Sequence, residues 1–153
     1  MEHEEYMRQA LELARLAMAE GEVPVGCVIV RDGAVVGRGR NRRETAQTAL
    51  GHAELEAIAQ ACRTLGGWRL AGCALYVTLE PCPMCAGAIV NARIPAVYYG
   101  AKDDKAGCCG SVLNLFEERF NHHPRIYQGP LKEECESQLQ DFFRGLREKS
   151  GEI

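Results

Sequence analysis

The 34 residues from His52 to Cys85 constrain this chain more than any other stretch. They open within Gly51-His52-Ala53-Glu54 and close with Pro81-Cys82-Pro83-Met84-Cys85. Between these motifs Leu55, Ile58, Ala59 and Cys62 recur at helical spacing until Gly66-Gly67 stops the pattern. Ala74 to Leu79 is then a β-rich run, and Pro81 marks a strand-to-helix junction. Each motif therefore stands at the start of a helix. Thiols placed there meet unpaired backbone N–H groups and the positive end of the helix dipole, which favours the deprotonated form. The i, i+3 spacing sets Cys82 and Cys85 on one helical face.

One imidazole and two thiolates suit a tetrahedral Zn²⁺ that keeps one position open for water, whereas a structural zinc closes with four protein ligands. Glu54, two residues from His52, can reach that water without being a ligand. The sequence thus nominates His52, Cys82 and Cys85 as metal ligands, with one Zn²⁺ per subunit. Glu54 becomes the proton carrier of a hydrolytic site. A lone Cys-x-x-Cys also marks thioredoxin-like redox pairs, but that reading leaves His52 and Glu54 without a task.

The flanking segments complete an α/β pattern. Met7, Leu11, Ala14, Leu16 and Met18 predict a helix over 4–19, stopped by Gly21. Val23 to Val30 and Ala34 to Gly37 predict a hairpin through Arg31-Asp32-Gly33, and the polar stretch Arg38 to Gly51 reads as a loop. Beyond the second motif come a helix over 82–92 and a strand over 96–99 ended by Gly100. A short helical stretch over 112–119, a strand over 125–127 and an amphipathic helix over 131–147 follow. The hairpin is antiparallel and the helical crossovers impply parallel strands. The expectation is a three-layer α/β/α sandwich around a mixed five-stranded sheet, one domain over 1–153 with its core at about 4–147.

Composition narrows the setting. The apolar runs are too short to cross a bilayer and the acidic start has no signal-peptide pattern, so a cytoplasmic protein with no membrane partner is expected. In that compartment the eight cysteines are expected to be reduced, with Cys27 and Cys73 acting as small hydrophobes. A net charge of −3 gives no global attraction to nucleic acid. Arg38, Arg40, Arg42 and Arg43 nevertheless crowd within six residues, as a solvated face or as a phosphate track.

The His-x-Glu and Pro-Cys-x-x-Cys pair is the signature of zinc-dependent nucleobase deaminases. From about Tyr6 to Arg147 the chain resembles the bacterial tRNA-specific adenosine deaminases. The likeness is carried by Glu22-Val23-Pro24-Val25-Gly26, Gly39-Arg40-Asn41-Arg42, Tyr76 to Ala88, Tyr99-Gly100-Ala101-Lys102-Asp103 and Asp141-Phe142-Phe143-Arg144. The resemblance implies a cytidine-deaminase-like fold and hydrolysis of the wobble adenosine of an arginine tRNA to inosine. It further implies a homodimer that binds the tRNA anticodon stem-loop, with the Asn41 amide on the flipped base, Asp103 near the anticodon backbone, and Phe143 and Arg144 holding the loop. Read without it, Asn41 is a turn former, Phe143 packs and Arg144 is solvated. The chain departs from the family's usual Asp-Pro-Thr-Ala before the His, carrying Thr48-Ala49-Leu50-Gly51 instead. Cys108-Cys109 stands where small non-thiol residues are usual, and reads as a packing substitution. Two alternatives stay open: a deaminase of free bases or nucleosides (guanine, cytosine or a riboflavin-pathway pyrimidine), and a non-catalytic zinc-binding RNA module.

Overall fold

A computed structural model describes residues 2–150. Helix α1 (Glu2–Ala19) precedes the hairpin of β1 (Gly26–Arg31) and β2 (Ala34–Arg40). Then come α2 (Ala53–Leu65), β3 (Cys73–Leu79), α3 (Pro83–Ala92), β4 (Ala96–Ala101), β5 (Arg125–Gln128) and α4 (Lys132–Ser150). Asp32 and Gly33 turn the hairpin with φ of 52° and 79°, the positive values a two-residue turn needs.

The strands form one sheet in the order β2-β1-β3-β4-β5. β1 runs antiparallel to both β2 and β3, and β3, β4 and β5 are parallel, so the sheet is mixed as expected. Alternation along the strands sorts the core into two layers. Cys27, Ile29, Leu75, Val77 and Val97 point to α2 and α3, while Val28, Val30, Tyr76 and Tyr98 point to α1 and α4. Because both faces are covered, the central strands read as near-continuous apolar runs. Among the described residues no helix is long and apolar enough to cross a membrane, and all eight cysteines are free thiols.

Several boundaries differ from the sequence expectation: the strand expected from Val23 begins at Gly26, the last helix runs on to Ser150, and three further differences have a visible cause. β2 continues through Arg40, where a loop was expected from Arg38. Its Gly37 and Gly39 lie so close under α2 that an added Cβ would stand 2.2 Å from the Ala57 carbonyl and 2.1 Å from that of Ala53. The Gly-Arg-Gly-Arg pattern is thus a strand with a bare inner face, which polarity alone disguises as a loop. Gly100 lies inside β4 instead of ending it, because its missing side chain leaves room for Cys135 of α4. The helical stretch expected over 112–119 shrinks to the 3₁₀ turn Leu115–Glu117, capped by the Asn114 side chain accepting from the Phe116 N–H at 3.1 Å.

Since β1 is antiparallel to β3, the start of β1 adjoins the end of β3. The N-termini of α2 and α3 converge on that same end of the sheet. Everything chemical in the chain is assembled there, outside the carboxyl end of a parallel strand.

Candidate active site

His52 occupies the N-cap of α2 and Cys82 the N-cap of α3, and neither side chain caps its own helix. Their carbonyls accept the first helical hydrogen bonds, from Glu56 and Ala86, which leaves the side chains free to turn towards each other. Cys85 follows in the first turn of α3 and is fully buried. His52 Nδ1 lies 3.6 Å from Cys82 Sγ and 3.4 Å from Cys85 Sγ, and the three donor atoms fall within 4.8 Å of one another. Zinc–sulfur bonds of about 2.3 Å and zinc–nitrogen bonds of about 2.0–2.1 Å, arranged tetrahedrally, put neighbouring S and N ligands roughly 3.6 Å apart. The donor set therefore fits a tetrahedral ion in both spacing and chemistry.

The electrostatics point the same way. The hydrogen bond from Cys85 holds the Cys82 thiol down to about 4, against the cost of burial, with His52 helping. Cys85 is pushed far up by the same bond to Cys82 and by burial, and His52 is raised by its contact with Cys82. One sulfur thus carries the charge for both. A divalent cation satisfies two thiolates and a neutral imidazole together.

Glu54 sits in the first turn of α2, 4% exposed. Burial raises its carboxyl to about 7, with the Cys82 charge adding to the rise and His52 opposing it. A carboxyl poised there can accept and return a proton near neutral pH.

His52, Glu54 and Cys82 line a cavity of about 210 Å³. Its walls are Val23, Val25, Leu79 and Glu80 from the adjoining strand ends, Asn41 and Arg43 from the loop after β2, and Asp103 and Ala106 from the loop after β4. The volume is enough to take a planar ring system of a nucleobase's size.

Asn41 reaches this wall with its side chain already engaged: Nδ2 donates to the Val23 carbonyl at 3.1 Å, and Oδ1 accepts from the Arg43 N–H at 3.2 Å. It is a turn former and a pocket residue at once. Of the four clustered arginines, Arg40 is tied to Glu20 at 2.9 Å and Arg42 to Glu56 at 3.3 Å, and only Arg43 lines the cavity. Phe143 and Arg144 do not line it. Phe143 is exposed on α4 with its ring edge-to-face with Phe142, and Arg144 pairs with Asp141. Cys108 and Cys109 are buried in the α2–α3 core, and the Cys108 N–H donates to the Pro81 carbonyl.

Two residues of the site had no role in the sequence reading. Glu22 and Glu80 are buried at 1% and 2% exposure, and each accepts hydrogen bonds from a loop bordering the cavity. A glutamate abutting an apolar run, as in Glu22-Val23 and Leu79-Glu80, is the one local trace they leave, and it says nothing of their partners.

Known proteins resemble this chain over most of its length. The family model of the MafB19-like deaminases matches residues 1–147. A tRNA-specific adenosine deaminase of Bacillus subtilis (strain 168) is 52% identical over 145 residues, covering 94% of this chain and 90% of that protein. This chain belongs to the tRNA-specific adenosine deaminase family. A solved structure from a study of A-to-I editing by tRNA:A34 deaminases at the wobble position matches this family member with a TM-score of 0.84 and 44% identity. That match covers 88% of this chain and 98% of the other. A guanine deaminase from Bacillus subtilis matches more loosely, with a TM-score of 0.65 and 34% identity over 100% and 98% of the two chains.

Proposed function

We propose that this family member is a zinc-dependent hydrolase that converts adenosine to inosine at the wobble position of a tRNA anticodon, that of an arginine tRNA. The observation that carries the reading is the 52% identity to a tRNA-specific adenosine deaminase across 94% of the chain, joined to a three-donor site with a buried carboxylate beside it.

His52, Cys82 and Cys85 would hold the metal, one per subunit. Bound zinc supplies acidification of water, lowering its pKa from about 15.7 toward about 7. Glu54 takes a proton from the attacking water and passes it to a ring nitrogen of adenine. Addition at C6 gives a tetrahedral carbon bearing hydroxyl and amine; Glu54 then takes the hydroxyl proton and hands it to the amine, so the C6 carbonyl forms as the C–N bond breaks and ammonia leaves. Water is consumed and ammonia released, so one carboxylate serves as base and then as acid. Asn41 and Arg43 face the base and its flanking backbone from the loop after β2. A cavity for one ring requires the adenosine to leave its stack, which an anticodon loop allows at low cost.

The same reading implies a cytoplasmic homodimer, with residues from about 4 to 147 forming one catalytic unit. Leu50, Val112 and Leu113 support a second subunit: they are 62%, 55% and 44% exposed on the loops that border the cavity. A free-base deaminase is the second reading, favoured by the 34% identity to a guanine deaminase. Assay of zinc-loaded protein on an arginine-tRNA anticodon stem-loop, and on free adenine, guanine, cytosine and cytidine, decides between them. Inosine formed only in the stem-loop is the expected result. Turnover of a free base alone overturns it.

A further inference from the structure

We propose that Glu22 and Glu80 are positioning residues, two buried carboxylates that brace the loops forming opposite walls of the base cavity. Glu22 lies four residues before β1 and Glu80 just after β3, so the antiparallel pairing of these strands brings both to the catalytic end of the sheet. Each faces outward along the sheet to a loop without regular structure.

Glu22 accepts from the N–H of Glu44 at 3.2 Å and of Thr45 at 2.6 Å. These amides belong to the loop that begins with Asn41 and Arg43. Glu80 accepts through Oε1 from the Asp103 N–H at 3.0 Å and the Ser111 hydroxyl, and through Oε2 from the N–H of Cys109 at 2.7 Å and of Ser111 at 3.1 Å. Those donors span the loop that carries Asp103 and Ala106 to the cavity. Gly107 is packed so tightly on this carboxylate that an added Cβ would stand 2.4 Å from Oε1.

Among the described residues neither glutamate takes part in an ion pair with a Lys or Arg. Their partners are N–H groups and one hydroxyl. A buried carboxylate held this way is satisfied only while the loop keeps its shape, since each lost donor leaves an acceptor buried and unpaired. The loops are tied internally by turn hydrogen bonds and by the Cys109–Asn114 bridge, and the carboxylates add side-chain links from them to the ends of β1 and β3. The consequence falls on how the two walls grip the base, while His52, Cys82, Cys85 and Glu54 are set by α2 and α3.

The proposal rests on the deaminase reading above, and its test separates the two. Glu22→Gln and Gly107→Ala are assayed on the stem-loop in zinc-loaded protein, with zinc content and amide exchange measured in parallel. Glu22→Gln turns one acceptor into a donor facing N–H groups; Gly107→Ala presses on both the Glu80 carboxylate and the Asp103 carbonyl, so Glu22→Gln is the cleaner of the two variants. Each is expected to raise KM roughly tenfold while kcat stays within about threefold and zinc remains bound. Exchange accelerates at Thr45 in the first variant and at Cys109 in the second, with β1 amides unchanged. Unaltered KM and loop exchange overturn the proposal. So does loss of zinc and kcat at unchanged KM. Wild-type protein that deaminates nothing defeats the deaminase reading alone, because loop exchange still reports the bracing.

Discussion

Helices α2 and α4 are built on opposite rules. α2 lays Ala53, Ala57 and Ala61, all fully buried, onto a strand whose glycines bring the backbones nearly into contact. α4 is longer, yet from Lys132 to Lys149 only Cys135 is buried, and Phe143 and Leu146 are 43% and 45% exposed. The first helix has its N-cap fixed to a fraction of a turn, and that N-cap is His52. The second buries Cys135, packs Leu139 on the core and ties Gln138 to the Leu11 carbonyl, and beyond these it presents an exposed face. Chemistry sits where packing admits one geometry, and the expected RNA contacts sit where it admits several.

The largest effect should come from the rigid side. Glu54→Gln keeps the shape of the first turn of α2 and removes the group that carries the proton. Turnover on the stem-loop should fall by about 10³-fold or more with zinc content and thermal stability near wild type. Near-normal turnover in metal-replete Glu54→Gln would dismiss Glu54 from the chemistry.

The same substitution should have opposite signs in the strand beneath α2 and on α4. Gly37→Ala drives a methyl into the Ala57 carbonyl, a backbone atom that cannot yield without moving α2. It should destabilise the protein by about 3 kcal/mol, read from denaturant midpoints. Gly145→Ala on α4 meets nothing within 4 Å and should stabilise by about 0.5–1 kcal/mol through helix propensity. Equal responses at the two sites would erase the contrast.

What the sequence showed follows this division. The donor residues were legible because His, Cys and Glu at helix starts carry their chemistry in their identity. The α-β alternation was legible from periodicity. Glu22 and Glu80 were not, because their partners are backbone amides, which have no identity to read. β2 was cut short at Arg38 because glycine on an inner face resembles a loop, and nothing in Gly37-Arg38-Gly39-Arg40 says that a helix lies on it. The engagement of Asn41 with Val23 and Arg43 depends on two segments meeting, which no local pattern encodes.

Acid should expose the brace at the rigid end. Burial pushes the Glu22 carboxyl up, but the Thr45 and Glu44 N–H groups outweigh it and hold it below its ordinary value. A depressed folded-state pKa adds stability that is complete above the ordinary carboxylate value of about 4.3 and drains away as pH falls through the lower folded value. The stability gap between wild type and Glu22→Gln, from urea midpoints at pH 3 to 7, should therefore be widest near neutrality and close in acid. A gap that widens in acid would reverse the sign and refute the assignment.

The smallest effect on stability belongs to the exposed face of α4. Arg144 makes an exposed i, i+3 pair with Asp141, so Arg144→Ala should cost less than about 0.5 kcal/mol in a thermal melt. If α4 nevertheless meets the anticodon stem, that same change removes a phosphate contact. Affinity for the stem-loop should then drop, and the slope of log affinity against log salt should shrink by roughly one. Glu22→Gln should leave that slope unchanged, since it alters the fit of the base and no phosphate contact. An Arg144→Ala protein with wild-type affinity and wild-type salt slope would confine α4 to covering the sheet, and the grip on RNA would then have to come from Arg43 and the loops around the cavity.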